Sequence, residues 1–171
     1  FGWDWAPRQL AGEISIPAYL TFEDEKEYLR FASVQTEAIS GEVANMLRTL
    51  KSEFLKDEKY SIKLAYSTSD NETTTLDLGD LSLENSKNNI SLFKFNVENP
   101  QLWFPNGYGN PTLYEATIYL YNKELICLDS VKTRFGIRTI ELSQKKDKYG
   151  SEFCFIVNGM PIFAKGANLV P

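Results

Sequence analysis

The chain has 171 residues, enough for one well-buried core with some length left for flanking segments. Eighteen Lys and Arg against 23 Asp and Glu give a net charge of −5 with no basic stripe, so the footprint of a nucleic-acid binder is missing. Histidine is absent, which removes the commonest general base and metal ligand and with them Ser-His-Asp, Cys-His and zinc chemistry within these residues.

Chain order begins with Phe1-Gly2-Trp3-Asp4-Trp5-Ala6-Pro7-Arg8. Bare tryptophans on a fraying terminus would expose large apolar area, and no Met precedes them, so the chain reads as an internal piece of a larger protein. Trp3-Asp4-Trp5 is also a combination that sugar sites use: a flat ring stacks on the CH face of a sugar while a carboxylate accepts its hydroxyl hydrogens. The alternative is an aromatic plug at a domain boundary. The acidic run Phe22–Glu27 lacks the alternating ligand spacing of a calcium loop and reads as a solvated loop.

Next comes a conflict. Val43, Met46, Leu47, Leu50 and Phe54 stand at i, i+3, i+4, i+7 and i+11, and that spacing alone predicts an amphipathic helix over 43–56. Most of the remaining chain alternates with the period of a strand. Tyr60, Ile62, Leu64 and Tyr66 form one face, then Phe93, Phe95 and Val97, then Tyr114, Ala116, Ile118 and Leu120 with Tyr119 and Tyr121 opposite. A further strand is predicted from Leu125-Ile126-Cys127-Leu128 through Val131 towards Phe135. Turn clusters at 68–71, 84–89, 106–111 and 121–123 separate these runs, a pattern that predicts an all-β fold, an immunoglobulin-like antiparallel β-sandwich with flanking β segments.

After the polar stretch Ser143–Gly150, the alternation of Phe153, Phe155 and Val157 meets Asn158-Gly159 and then Met160-Pro161-Ile162-Phe163. Asn-Gly between two apolar runs predicts a tight hairpin, because both residues tolerate positive φ. Cys127 and Cys154 each sit in an apolar run and are expected as two buried free thiols rather than a disulfide. The sequons at Asn71 and Asn89 are as readily chance as glycosylation. No apolar stretch approaches the ~20 residues needed to cross a bilayer, and no cofactor or metal is expected.

Four of these segments together resemble the β-mannosidases of glycoside hydrolase family 2. Phe1–Arg8 is similar to their FGWDWGPR signature, and Asn99-Pro100-Gln101-Leu102-Trp103-Phe104-Pro105-Asn106-Gly107-Tyr108-Gly109 to their NPxLWWPNGYG turn. Arg134-Phe135-Gly136-Ile137-Arg138-Thr139-Ile140-Glu141 resembles RFGFRTIE, and Phe155–Asn168 resembles FEVNGxPIFAKGAN. The motifs follow the family's order from end to end. Three departures stand out: Ala6 for Gly, Phe104 for the second Trp, and Leu169-Val170 for Trp-Ile.

The resemblance implies an architecture and a chemistry. Residues 1–23 would be the tail of an N-terminal jelly-roll sugar-binding domain, 24–142 the immunoglobulin-like sandwich, and 143–171 a linker and hairpin entering a catalytic (β/α)8 barrel. It also implies a strand, not a helix, at 43–56. The parent would hydrolyse terminal β-mannosides with retention through two barrel glutamates, both lying beyond Pro171, so this piece is expected to be catalytically silent. Asp4 would reach into the sugar subsite next to the scissile bond, with Trp3, Trp5 and Asn168 as further substrate-binding candidates. The aromatic turn at 103–109 is read as packing against neighbours rather than as a carbohydrate loop, and Arg134 and Arg138 as braces of an interdomain junction. Partners would be a β-mannoside in the full-length parent and the adjoining jelly-roll and barrel domains. The competing readings are a stand-alone carbohydrate-binding or surface immunoglobulin-like module, or a fragment of another β-glycosidase of the same family.

Overall fold

A computed structural model describes residues 27–53, 58–68, 72–82 and 89–167. Among them every regular element is a strand: β1 Tyr28–Ser40, β2 Val43–Glu53, β3 Tyr60–Ser67, β4 Thr74–Leu81, β5 Ile90–Glu98, β6 Tyr114–Tyr121, β7 Cys127–Phe135, β8 Ile140–Ser143, β9 Cys154–Val157 and β10 Met160–Ile162. Seven of them make a sandwich of two antiparallel sheets, ordered β1-β2-β5 and β4-β3-β6-β7, the layout of an immunoglobulin-type fold. The last three form a separate sheet, β10-β9-β8.

The core lies where alternate residues of the two large sheets meet. Ile62, Leu64, Ile118 and Leu120 from central strands β3 and β6 are fully buried, as the period-2 pattern requires. An aromatic cluster closes one end: Tyr114 stacks on Phe135 at 5.1 Å, and Tyr66 lies edge-on to both. β1 runs alongside β7, with the Leu29 amide donating to the Asp129 carboxylate near its start and the Arg138 amide donating to the Thr36 hydroxyl further along.

Residues 43–53 are a strand, hydrogen-bonded on both sides to β1 and β5. Its inward residues are Ala44, Met46, Arg48, Leu50 and Ser52, all buried. Two of the five inward positions are polar, while Val43 and Leu47 point outward and are half-buried. That exchange is what gave the apolar residues a helical spacing. Tertiary pairing overrides it, as expected for a central strand whose neighbours satisfy every backbone group.

Two local expectations fail. β7 begins at Cys127 rather than Leu125, because Leu125 (φ 60°) and Ile126 belong to a loop held by Asn122, whose side-chain oxygen accepts from the amides of Glu124 and Ile126. Both cysteines are free, but neither is buried: Cys127 is exposed and Cys154 half-exposed. Cys127 lies at the start of edge strand β7, next to the register shift at Leu120/Tyr121.

β9 and β10 are joined by Asn158 (φ 50°) and Gly159 (φ 77°), a two-residue loop with both residues in the left-handed region, as the Asn-Gly pair predicts. Segment 144–153 is the connection from β8 back to β9, tightened by a turn at Asp147, whose carboxylate accepts from the amides of Tyr149 and Gly150.

Candidate functional site

The sequence-derived candidates Asp4, Trp3, Trp5 and Asn168 lie outside the described residues. The other three motifs converge. Segments 99–111, 134–139 and 155–163 meet where the sandwich joins the small sheet.

Trp103 is the centre. Its backbone is fixed by an N–H donated to the Ile137 carbonyl at 2.9 Å and by a carbonyl that accepts from the Asn158 amide nitrogen Nδ2 at 2.9 Å. Its ring lies against Gly136, where an added Cβ would come within 2.9 Å of the Trp103 Cβ. The Arg138 guanidinium covers the ring at 4.7 Å from the centroid, within cation–π range. Phe104 packs in the same way against Gly109, where a Cβ would approach to 2.9 Å. Two of the motif glycines therefore admit an aromatic ring by close approach, without any need for unusual backbone angles.

Polar groups complete the joint. Asn158 Oδ1 accepts from the Thr139 amide at 2.9 Å, so one side chain ties the β9–β10 turn to both other motifs. The Tyr108 hydroxyl accepts from the Phe163 amide at 2.8 Å, holding the chain just after β10. Gln101 donates its amide to the Tyr114 hydroxyl at 2.8 Å, and burial raises the pKa of that phenol, which keeps it neutral as an acceptor.

Beside this joint lies an open cleft of about 840 Å³ lined by Val34, Thr36, Leu113, Arg134, Arg138 and Ile140, among others. Neither arginine forms an ion pair among the described residues, and the Arg138 Nε is buried without a hydrogen-bond partner. The cleft presents cationic donors and no facing pair of carboxylates, and among the described residues no group of three or more His, Cys, Asp and Glu is placed to hold a metal ion. Trp103, Phe104 and Tyr108 are all half-buried, with one Trp103 face covered, so this turn is built for packing rather than as an open stacking platform. Sequence reasoning anticipated a rigid aromatic turn here. It missed the bridging role of Asn158, which is read from sequence as a turn residue only, and gave no warning of Arg48 in the sandwich core.

The comparisons fit this arrangement. Residues 28–138 match the family profile described as glycosyl hydrolases family 2. Beta-mannosidase B of Aspergillus fumigatus is 33% identical over 174 aligned residues, which take in all of this chain and 19% of that protein. Beta-mannosidase B of Emericella nidulans is 46% identical over 83 residues, covering 48% of this chain and 10% of that protein. Among solved structures, a beta-D-mannosidase from Dictyoglomus thermophilum superposes with a TM-score of 0.70 at 30% identity, over 85% of this chain and 18% of that one. The chain thus spans about one-fifth of the length of relatives that align with most or all of it. A family profile that covers most of the sandwich, together with this likeness in sequence and fold, shows that the chain belongs to glycosyl hydrolase family 2.

Proposed function

We propose that the chain is the non-catalytic sandwich portion of a β-mannosidase-like exo-glycosidase. Its role is to hold the segments on either side of it in fixed relation, so that residues near its two ends meet one terminal β-mannoside in the assembled parent. The observation that carries this reading is the joint at Trp103. Three sequence motifs are used there to lock one sheet to another through backbone hydrogen bonds, a bridging amide and a stacked guanidinium. Hydrolysis with retention, by two glutamates about 5 Å apart, belongs to the part of the parent outside this chain. Asp4 is assigned to hydrogen-bond a sugar hydroxyl next to the scissile bond, with Trp3, Trp5 and Asn168 lining the same subsite.

Kinetics of the full-length parent test the assignment. Asp4→Ala is expected to lower kcat/KM on an aryl β-mannoside at least tenfold, since a hydrogen bond to a charged group contributes about 1.5–3 kcal/mol. Asp24→Ala, in the solvated acidic run, should leave kcat/KM within twofold. If Asp4→Ala instead melts the protein early and the folded fraction keeps its kinetics, Asp4 is a boundary anchor and the sugar contact is wrong.

A further inference from the structure

A small recess of about 100 Å³ lies at the end of the sandwich where β3 stops, β4 begins and β5 stops. Two of its lining residues are charged, and both are glutamates: Glu72, just before β4, and Glu98, the last residue of β5. Neither joins an ion pair among the described residues, and no Lys or Arg among them lines the recess. Its inner wall is made by Tyr66, Tyr114 and Thr68, all buried. Thr68, directly after β3, is 5% exposed, and its hydroxyl is buried without a hydrogen-bond partner. Buried hydroxyls are normally paired, because one left alone destabilises the fold. Burial raises the pKa of the Tyr66 phenol against a hydrogen bond from Thr74 that lowers it, and Tyr114 and Glu98 add to the rise. The Glu98 carboxylate is thus felt at the wall of the recess.

We propose that this recess is a site for a divalent cation of the calcium type, held by the carboxylates of Glu72 and Glu98 and by the Thr68 hydroxyl, with carbonyl oxygens and water completing the shell. The donor set selects the ion. Carboxylate and hydroxyl oxygens line the recess and no thiol does, which is the chemistry of a hard cation rather than of zinc or copper. Two carboxylates that share a recess repel each other until a positive charge stands between them. A water would pair with Thr68 and leave that repulsion in place. The volume admits an ion with two or three waters, at ~30 Å³ for each water. Calcium accepts an irregular shell of oxygens supplied from separate segments, whereas magnesium demands near-octahedral geometry. No metal is expected from the sequence, because the two carboxylates lie on different strands and the third ligand is neutral. Glu98 belongs to the three-stranded sheet, while Thr68 and Glu72 stand between β3 and β4 of the four-stranded one. The ion therefore ties the two sheets together at the end that carries the cluster of Tyr66, Tyr114 and Phe135.

Terbium titration of the full-length parent, stripped of metal with EDTA and dialysed, tests this. Terbium takes calcium's place among oxygen ligands and emits when excited through a nearby tyrosine, and Tyr66 and Tyr114 wall the recess. Other parts of the parent can also hold the ion, so the reading is the component of the signal that a substitution removes. The expected result is a saturable component displaced by calcium with a Kd of about 10⁻⁴–10⁻³ M, the range of sites with few carboxylates. Glu98→Gln and Glu72→Gln should each weaken it by about tenfold, and Thr68→Val by about threefold. Glu124→Gln, in the loop at the other end of β6, should leave it unchanged. In EDTA each variant should melt within about 2 °C of wild type, so that lost binding is not lost folding. No calcium-displaced component, a component unchanged in both glutamate variants or in Thr68→Val, or displacement by magnesium at equal concentration would each overturn the proposal. No substrate is involved, so a parent that fails to hydrolyse mannosides would refute the functional reading and leave this result standing.

Discussion

Arg48 is fully buried at an inward position of β2, and its Nε and both terminal nitrogens lack hydrogen-bond partners. Burial pushes its guanidinium down to about 9. A charge taken out of water without a partner destabilises the fold, so Arg48→Met, which keeps the length and removes the charge, is expected to stabilise the protein by about 1–4 kcal/mol in urea melts at pH 7. The advantage should depend on pH. Because the folded-state value lies below that of the unfolded chain, the unfolded state binds more protons above about pH 9, and wild-type stability gains from Arg48 as pH rises past that value. The gap between Arg48→Met and wild type should therefore be constant below pH 8 and narrow between pH 9 and 10. A constant gap across that range would mean that Arg48 stays charged, solvated by water reaching the core. Tyr60 acts in the opposite sense higher up. Burial, and then Glu27, raise its phenol to about 12, so stability from Tyr60 is lost as pH climbs from 10 to 12. Measurements between pH 9 and 10 separate the two.

The elements show what a sequence discloses by itself. The β9–β10 hairpin was legible because Asn158 and Gly159 satisfy a local rule for positive φ. The strands β3, β5 and β6 were legible from their alternation. β2 was legible only through its family motifs, because Arg48 and Ser52 occupy inward positions that an apolar count expects to be hydrophobic. The exposed Cys127 and the looped Leu125-Ile126 were misread for the mirror-image reason: apolar residues at an edge look like core. Asn158 shows the other limit. Its side chain bonds Trp103, 55 residues away, and no local pattern encodes such a contact. Asn158→Gly keeps the turn conformation and removes the amide; it should destabilise by about 1–3 kcal/mol, the cost of leaving two part-buried partners unpaired, and Asn158→Ala by more, because Ala adds backbone strain at φ 50°. If Asn158→Gly unfolds at the same urea concentration as wild type, the residue serves the turn alone. Gly136→Ala should cost about 1–3 kcal/mol by driving Trp103 from beneath Arg138, visible as a red shift in tryptophan emission.

At the scale of the whole molecule, the sandwich and its family could be read from the sequence, but the proposed sugar contacts are carried by Asp4, Trp3, Trp5 and Asn168, outside the described residues. What the described part offers is a joint at Trp103 and a cleft beside it lined by Arg134 and Arg138. The most direct measurement is release of nitrophenol from an aryl β-mannoside by the purified 171-residue chain, set beside the full-length parent at equal molarity. The account predicts turnover by the parent and none above buffer for the chain. Turnover by the chain that survives repurification, and is lost in a variant of its own carboxylates, would contradict it.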